Sequence, residues 1–232
     1  MSGRRNTKLI LRPPFGAVYR RLYRTFGPQH WWPGRTRIEI IVGAILTQNT
    51  AWPNVEKAIA RLRRAHALNV RALHRTPLRR LAEWIRPAGY FRVKARRLRA
   101  FTAMLTRRHG GDLRRLFHLP TGALREELLA VNGIGPETAD SILLYAAGRP
   151  VFVVDAYTRR FMMRHGWIRR DAEYDDVARA FTATLPRSVG LYNECHALIV
   201  ALGKNFCRSV PRCAACPLRR WPVVGVTRDQ YR

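Results

Sequence analysis

With 232 residues, 47% of them hydrophobic, the chain can bury one substantial core or two small ones. Its 43 Lys and Arg stand against 15 Asp and Glu, a formal net charge of +28. No apolar run approaches the ~20 residues of a membrane span. The basic start lacks a long apolar stretch and a small-residue cleavage site, so no signal peptide is expected. The charge points to a polyanion, because basic side chains release the counterions condensed on phosphates; nucleic acid is expected ahead of an anionic membrane surface. Only Lys8, Lys57, Lys94 and Lys204 are lysines. A bias toward arginine explains Arg in place of Lys but not the shortage of acids. The expected location is the cytoplasm, on the nucleoid. Three of the four cysteines, Cys207, Cys213 and Cys216, crowd together near the C-terminus, which reads as metal or cluster binding in a reducing compartment.

In chain order, the apolar spacing is helical nearly throughout. Ile38, Ile41, Val42, Ile45 and Leu46 recur at i, i+3, i+4, i+7 and i+8, one face of a buried helix. Val55, Ile59 and Leu62 continue in a second, with Trp52 and Pro53 at its start. Leu78, Leu81, Trp84 and Ile85 form a short stripe ended by Pro87 and Gly89. Leu98, Phe101, Met104 and Leu105 mark a fourth, stopped at Gly110 and Gly111. Leu124, Leu128, Leu129 and Val131 lead into Asn132, Gly133, Ile134 and Gly135. Pro136 then stands at a first helical position, and Ala139, Ile142, Leu143 and Ala146 carry the next stripe. An apolar run at 151–154 precedes Asp155 and a further helix, and the last clear helix spans roughly 191–204. There is no alternating strand pattern of useful length, no repeat and no low-complexity linker. The expected fold class is all-α.

The segment 128–160 carries the most chemistry. Two helices meet at a turn holding Gly133 and Gly135, where glycine permits positive φ and leaves backbone N–H groups bare. The helix opened by Pro136 points its positive dipole end at the same place. Such a turn can grip a DNA phosphate without reading bases, although glycine turns between helices are also ordinary structure. Asp155 follows about twenty residues on, with Arg159 and Arg160 beyond it. A carboxylate there can cap the next helix or stabilise positive charge in a reaction, and its position suits both.

The segment LLAVNGIGPETADSILLYAAGRPVFVVDAYTRR, together with IEIIVGAILTQNTAWPNVEKAIARL at 38–62 and the cysteine-bearing tail, resembles the endonuclease III superfamily of helix-hairpin-helix (HhH-GPD) DNA glycosylases over most of the chain. The resemblance implies a two-lobed helical fold. An N-terminal segment, 1–37, would pack on the second lobe. A helical lobe, 38–150, would hold the hairpin at 124–147. A second lobe, 151–206, would begin with the aspartate loop, and a cysteine-containing tail would fill 207–232. The resemblance also implies a monomer binding double-stranded DNA at the cleft, with the damaged base flipped out of the stack. Asp155 is then the catalytic carboxylate, and Gln48, Asn132, Gly133, Gly135, Thr138 and Arg159 lie on the DNA. Gln48 matches the glutamine that enters the gap left by the flipped nucleotide, though a polar residue at a helix end is common.

In bifunctional members the residue two past the second hairpin glycine is a lysine that attacks the sugar. Here it is Glu137, which cannot form an imine. A monofunctional glycosylase is therefore expected, leaving an abasic site, with AP lyase activity weak or absent. The loop FGPQHWWPG at 26–34, with TQNTAW, resembles the 3-methyladenine glycosylase branch. That implies Trp31 and Trp52 as stacking faces for the base, with Trp32 and Pro33 beside them. Several N-alkylated purines are cationic, and a cation between ring faces gains roughly 0.5 to 2 kcal/mol. Tryptophans also plug cores without any such role. The expected activity is excision of an alkylated purine such as 3-methyladenine in base excision repair. The alternatives are a mismatch uracil, thymine or adenine glycosylase, an endonuclease III-type enzyme with lyase activity, and a non-catalytic DNA-binding module.

The tail reads C-x5-C-x2-C, against C-x6-C-x2-C-x5-C in the family, and the fourth ligand would fall near Pro222. Cys195 lies at a place that is not a ligand in endonuclease III, and it is read as core. A [4Fe-4S] cluster with a non-cysteine or displaced fourth ligand is the expectation. A zinc held with a histidine such as His196, or a loop packed without metal, are the alternatives. Arg208, Arg212, Arg219 and Arg220 around the loop would contact phosphate.

Overall fold

The structure, a computed structural model, describes residues 13–31 and 34–221, and every regular element among them is a helix. In chain order these are α1 (Phe15–Phe26), α2 (Arg37–Leu46), α3 (Trp52–Arg64), α4 (Val70–Arg75), α5 (Leu78–Trp84) and α6 (Phe91–His109). There follow α7 (Leu113–His118), α8 (Thr121–Leu129), α9 (Pro136–Ser141), α10 (Ala156–Arg164), α11 (Tyr174–Thr182) and α12 (Val189–Asn205). A 3-10 turn, Arg86–Ala88, follows α5, and a π turn, Ile142–Ala146, follows α9. Among the described residues no helix is long and apolar enough to cross a membrane. The readings at Trp32, Pro33 and around Pro222 lie outside the described residues. The chain divides into two units, one of residues 32–149 and one joining the segment up to residue 31 with 150 onward.

The unit 32–149 is built on α2. Thr36 caps it, accepting from Glu39 N at 3.2 Å, and Ile41, Val42, Ile45 and Leu46 are fully buried. This helix packs on α3, α6, α9 and the π turn. Gly110, in the left-handed region, closes α6 by donating to Leu105 O and Thr106 O, and Leu98, Phe101 and Leu105 face inward as their spacing predicts. Leu78 and Leu129 depart from the stripe reading, at 40% and 37% exposure. Each is the terminal residue of a short helix, where the apolar face has already turned outward. The six-residue helices α4 and α7 carry too few apolar positions for a period to show; Asn69 and Asp112 cap them. The stripe at 139–146 is not one α-helix. After Ser141 the chain widens into the π turn, with Ala147 N on Ile142 O at 3.0 Å and Arg149 N on Leu143 O at 2.8 Å.

The second unit packs α1 and α10–α12 around stacked aromatic rings. Phe15 of α1 stacks on Phe181 of α11, and Phe181 stacks on Phe152, each pair 3.8 Å between centroids. Tyr192 of α12 meets Phe152 edge-on at 5.9 Å. The extended segment before α10 is thereby anchored at Phe152. One residue before Asp155, Val154 N donates to Tyr174 Oη at 3.2 Å.

Candidate functional site

Asp155 is the N-cap of α10. Its Oδ1 accepts from Thr158 N at 2.7 Å and from Thr158 Oγ1 at 2.8 Å, so a first-turn N–H is satisfied at the positive end of the helix dipole. Its Oδ2 lies 3.5 Å from Nε2 of His196, on α12, with side-chain exposures of 12% for the aspartate and 6% for the histidine. Burial alone would push this carboxyl up. The charge of His196, with the two bonds from Thr158, outweighs that and holds Asp155 below the usual carboxylate range. An ionised carboxylate with one oxygen fixed and the other beside a histidine can stabilise positive charge on a sugar or hold a water as base. The capping and catalytic readings thus fall on different oxygens. His196 escaped sequence reasoning in this role, because only the packing of α12 on α10 brings it to Asp155.

In the unit 32–149, α8 and α9 meet at a turn. Gly133 has φ +86, and a Cβ there would lie 2.5 Å from Arg97 Cγ, so glycine is required twice over. Gly135 corrects the sequence reading. Its φ is −91 and ψ 179, with open space where a Cβ would stand, so positive φ is needed only at Gly133. Pro136 opens α9 as predicted, and Glu137 is exposed on its first turn. Gln48 Nε2 donates to Gly133 O at 3.0 Å and to Thr138 Oγ1 at 2.8 Å, while its Oε1 accepts from Arg97 Nη1. Three residues assigned to DNA from sequence are thus brought together, with Thr138 buried beneath as an acceptor for Gln48. Asn132 is exposed and, with Arg107 and Arg108, lines a groove of about 410 Å³.

Lys94 on α6 was also missed. It is buried, and its Nζ donates to Leu46 O and Ala88 O at 2.8 Å and to Thr50 Oγ1 at 2.6 Å, fastening both ends of the turn that carries Gln48. Burial, then the neighbouring Arg97 charge, lowers its amine to about 8. The one available signal was compositional, a single lysine in an arginine-rich helix.

Trp31 and Trp52 are both half-buried and belong to different units. Lys204 Nζ lies over the Trp31 ring, 5.8 Å from its centroid. Arg159, expected on phosphate, donates through Nη2 to Ala172 O at 2.9 Å and Arg170 O at 3.3 Å, so part of its guanidinium holds the turn before α11.

Cys207, Cys213 and Cys216 line one pocket with His165, Phe206 and Leu218. The histidine beside these thiols is therefore His165, and His196, considered as a zinc ligand, faces Asp155 instead. Arg160 Nε donates to Cys207 O at 2.7 Å, and Arg164 donates to Cys207 Sγ at 3.3 Å, Arg208 O at 2.6 Å and Ser209 O at 2.8 Å. Burial pushes the Cys216 thiol up to about 11 and that of Cys195, in the core of α12, up to about 12. A [4Fe-4S] cluster takes four thiolates. The described residues bring three to this pocket, and they contain no group of three His, Cys, Asp or Glu arranged to hold a metal ion. The donor set does not fit a four-thiolate cluster. Arg208, Arg212, Arg219 and Arg220 are exposed around the loop.

A family model described as HhH-GPD superfamily base excision DNA repair protein matches residues 42–187, a span that holds Gln48, the hairpin and Asp155. A Methanocaldococcus jannaschii protein named as a candidate DNA repair glycosylase is 44% identical over 205 residues, 88% of this chain and 93% of its own length. The H. pylori 3-methyladenine DNA glycosylase, solved with 1,N6-ethenoadenine bound, superposes with a TM-score of 0.72 at 28% identity, over 82% of this chain and 97% of that one. An endonuclease III–DNA complex superposes at 0.78 and 24% identity, over 92% and 95%, a likeness of fold. The chain belongs to the HhH-GPD superfamily of base excision DNA repair proteins, as a DNA glycosylase with an endonuclease III-type helical fold.

Proposed function

We propose that the protein is a monofunctional DNA N-glycosylase that flips an alkylated purine, such as 3-methyladenine, out of double-stranded DNA and hydrolyses its N-glycosidic bond. The observation that carries this reading is the Asp155 carboxylate, held ionised while its Oδ1 is occupied by Thr158. As the C1′–N bond lengthens, its electron pair leaves with the base and the sugar gains oxocarbenium character. Asp155 stabilises that charge, and its Oδ2 holds the water that adds to C1′ and takes the proton that water gives up. A cationic alkylpurine departs as a neutral base, so little activation of the leaving group is required. The turn around Asn132 and Gly133 grips the backbone.

Glu137 supports the monofunctional assignment, since a carboxylate on that exposed turn has no amine to offer the sugar. For the base, support comes from the aromatic loop and from the likeness to the H. pylori 3-methyladenine glycosylase. Trp31 already carries a cation over its ring in Lys204. We read the three-cysteine loop as closed by Arg160 and Arg164 without an iron–sulfur cluster.

The test is base release by the purified protein from methylated duplex DNA, beside Asp155→Asn. Asparagine keeps a capping oxygen, so the variant should fold while base release falls roughly 100- to 10,000-fold. Borohydride should trap no covalent protein–DNA adduct on abasic DNA. Release of uracil or a mismatched base in place of the alkylpurine would move the substrate assignment. No release of any base would leave a DNA-binding module.

A further inference from the structure

Among the buried titratable groups that the chemistry above leaves unused, one faces the catalytic carboxylate, the imidazole of His196. We infer that His196 is the positioning residue of Asp155: from α12 it holds the Oδ2 side of the carboxylate in place and, when protonated, keeps that carboxylate ionised within the core. The inference rests on the assignment of Asp155 to the reaction.

The geometry divides the work between the two oxygens. Oδ1 accepts twice from Thr158, a neutral partner on the same helix, and this fixes the carboxylate to α10. Oδ2 is 3.5 Å from His196 Nε2, within ion-pair range but long for a direct hydrogen bond. Both side chains are withdrawn from solvent, so their interaction is weakly screened. A histidine at this distance leaves Oδ2 room to take a second partner, the water or the sugar, while its charge opposes the burial that would protonate the acid.

Three titratable groups on α11 and α12 are engaged elsewhere or carry no charge. Tyr174, from α11, accepts from Val154 N through its hydroxyl. On α12, Glu194 accepts from Gln29 N at 2.8 Å, and Cys195 is a buried thiol raised to about 12, neutral where the enzyme works. His196 is thus the charge that acts on Asp155 from α12.

The deciding measurement is an NMR titration of the Asp155 carboxyl carbon in the full-length protein labelled at aspartate, with Asp155→Asn used to assign the signal. In His196→Gln, which keeps a hydrogen-bonding side chain but not the charge, the acidic midpoint should move up by roughly one to three pH units. The acidic limb of single-turnover base release from methylated duplex should move with it. A purely structural histidine would lower the melting temperature and leave the midpoint where it was, which overturns the inference. Should His196→Gln not fold, the wild-type signal decides: the Asp155 midpoint should lie below the ordinary carboxylate range, and a midpoint at or above that range overturns the inference. Because the titration needs no substrate, absence of base release would count against the glycosylase assignment and leave the pairing of His196 with Asp155 separately decided.

Discussion

The ammonium of Lys94 reaches three oxygens that a planar guanidinium could not satisfy together in the same space, which accounts for lysine on a helix otherwise rich in arginine. Lys94→Met keeps most of the stem packing and removes the head, leaving Leu46 O without its ammonium. Urea unfolding should show a loss of about 1 to 3 kcal/mol. The pH dependence has a definite sign. The amine titrates at about 8 in the folded chain, against an ordinary 10.5. Between those values the unfolded chain binds more protons, so the stability of wild type relative to Lys94→Met should rise from about pH 8 toward 10.5 and stay flat below 8. A constant difference across that window would show that the buried amine does not titrate there. Single residues were legible where their work is local. Asp155 could be read from the apolar run before it and the helix after it, because a cap and its anchor are neighbours in sequence. Lys94 and His196 could not, since what defines each is a partner brought close only by the packing of one helix on another.

Helices long enough to show a period were readable, and the short ones and the ends were not. The hairpin marks that limit, since a sequence places glycine at two positions alike and only the backbone distinguishes them. Gly133→Ala forces a side chain to φ +86 and into Arg97, which also donates to Gln48. It should cost more than about 1 kcal/mol and weaken binding to undamaged duplex. Gly135→Ala meets open space at an ordinary φ and should change stability by less than about 0.5 kcal/mol. Equal thermal shifts in the two variants would remove the distinction. In the tail the spacing of three cysteines was visible at once, but the arginines that hold the loop come from α10 and gave no sign in sequence. Protein purified without oxygen is expected to lack stoichiometric iron. Arg164→Met should speed hydrogen exchange around Cys207, where its guanidinium bonds sulfur and backbone together. One cluster per chain by iron analysis would refute the arginine-closed loop.

At the scale of the whole molecule the net charge of +28 decides how DNA is first met. Compositional bias toward arginine and selection for phosphate contact both yield many arginines, but only the second makes binding respond to salt as counterions are released. For undamaged duplex the logarithm of affinity should fall with the logarithm of salt concentration at about 0.9 per phosphate neutralised. With six such contacts the loss between about 50 and 200 mM salt would be roughly a thousandfold. Arg208, Arg212, Arg219 and Arg220 are exposed on the tail loop and should contribute to that slope. Replacing all four with glutamine should flatten it by up to roughly 3.6, each residue counting about 0.9. Asp155→Asn should leave the slope unchanged, because a carboxylate neutralises no phosphate. A slope near zero in the wild type would mean that the arginines are compositional drift, and that recognition rests on the hairpin and the base alone.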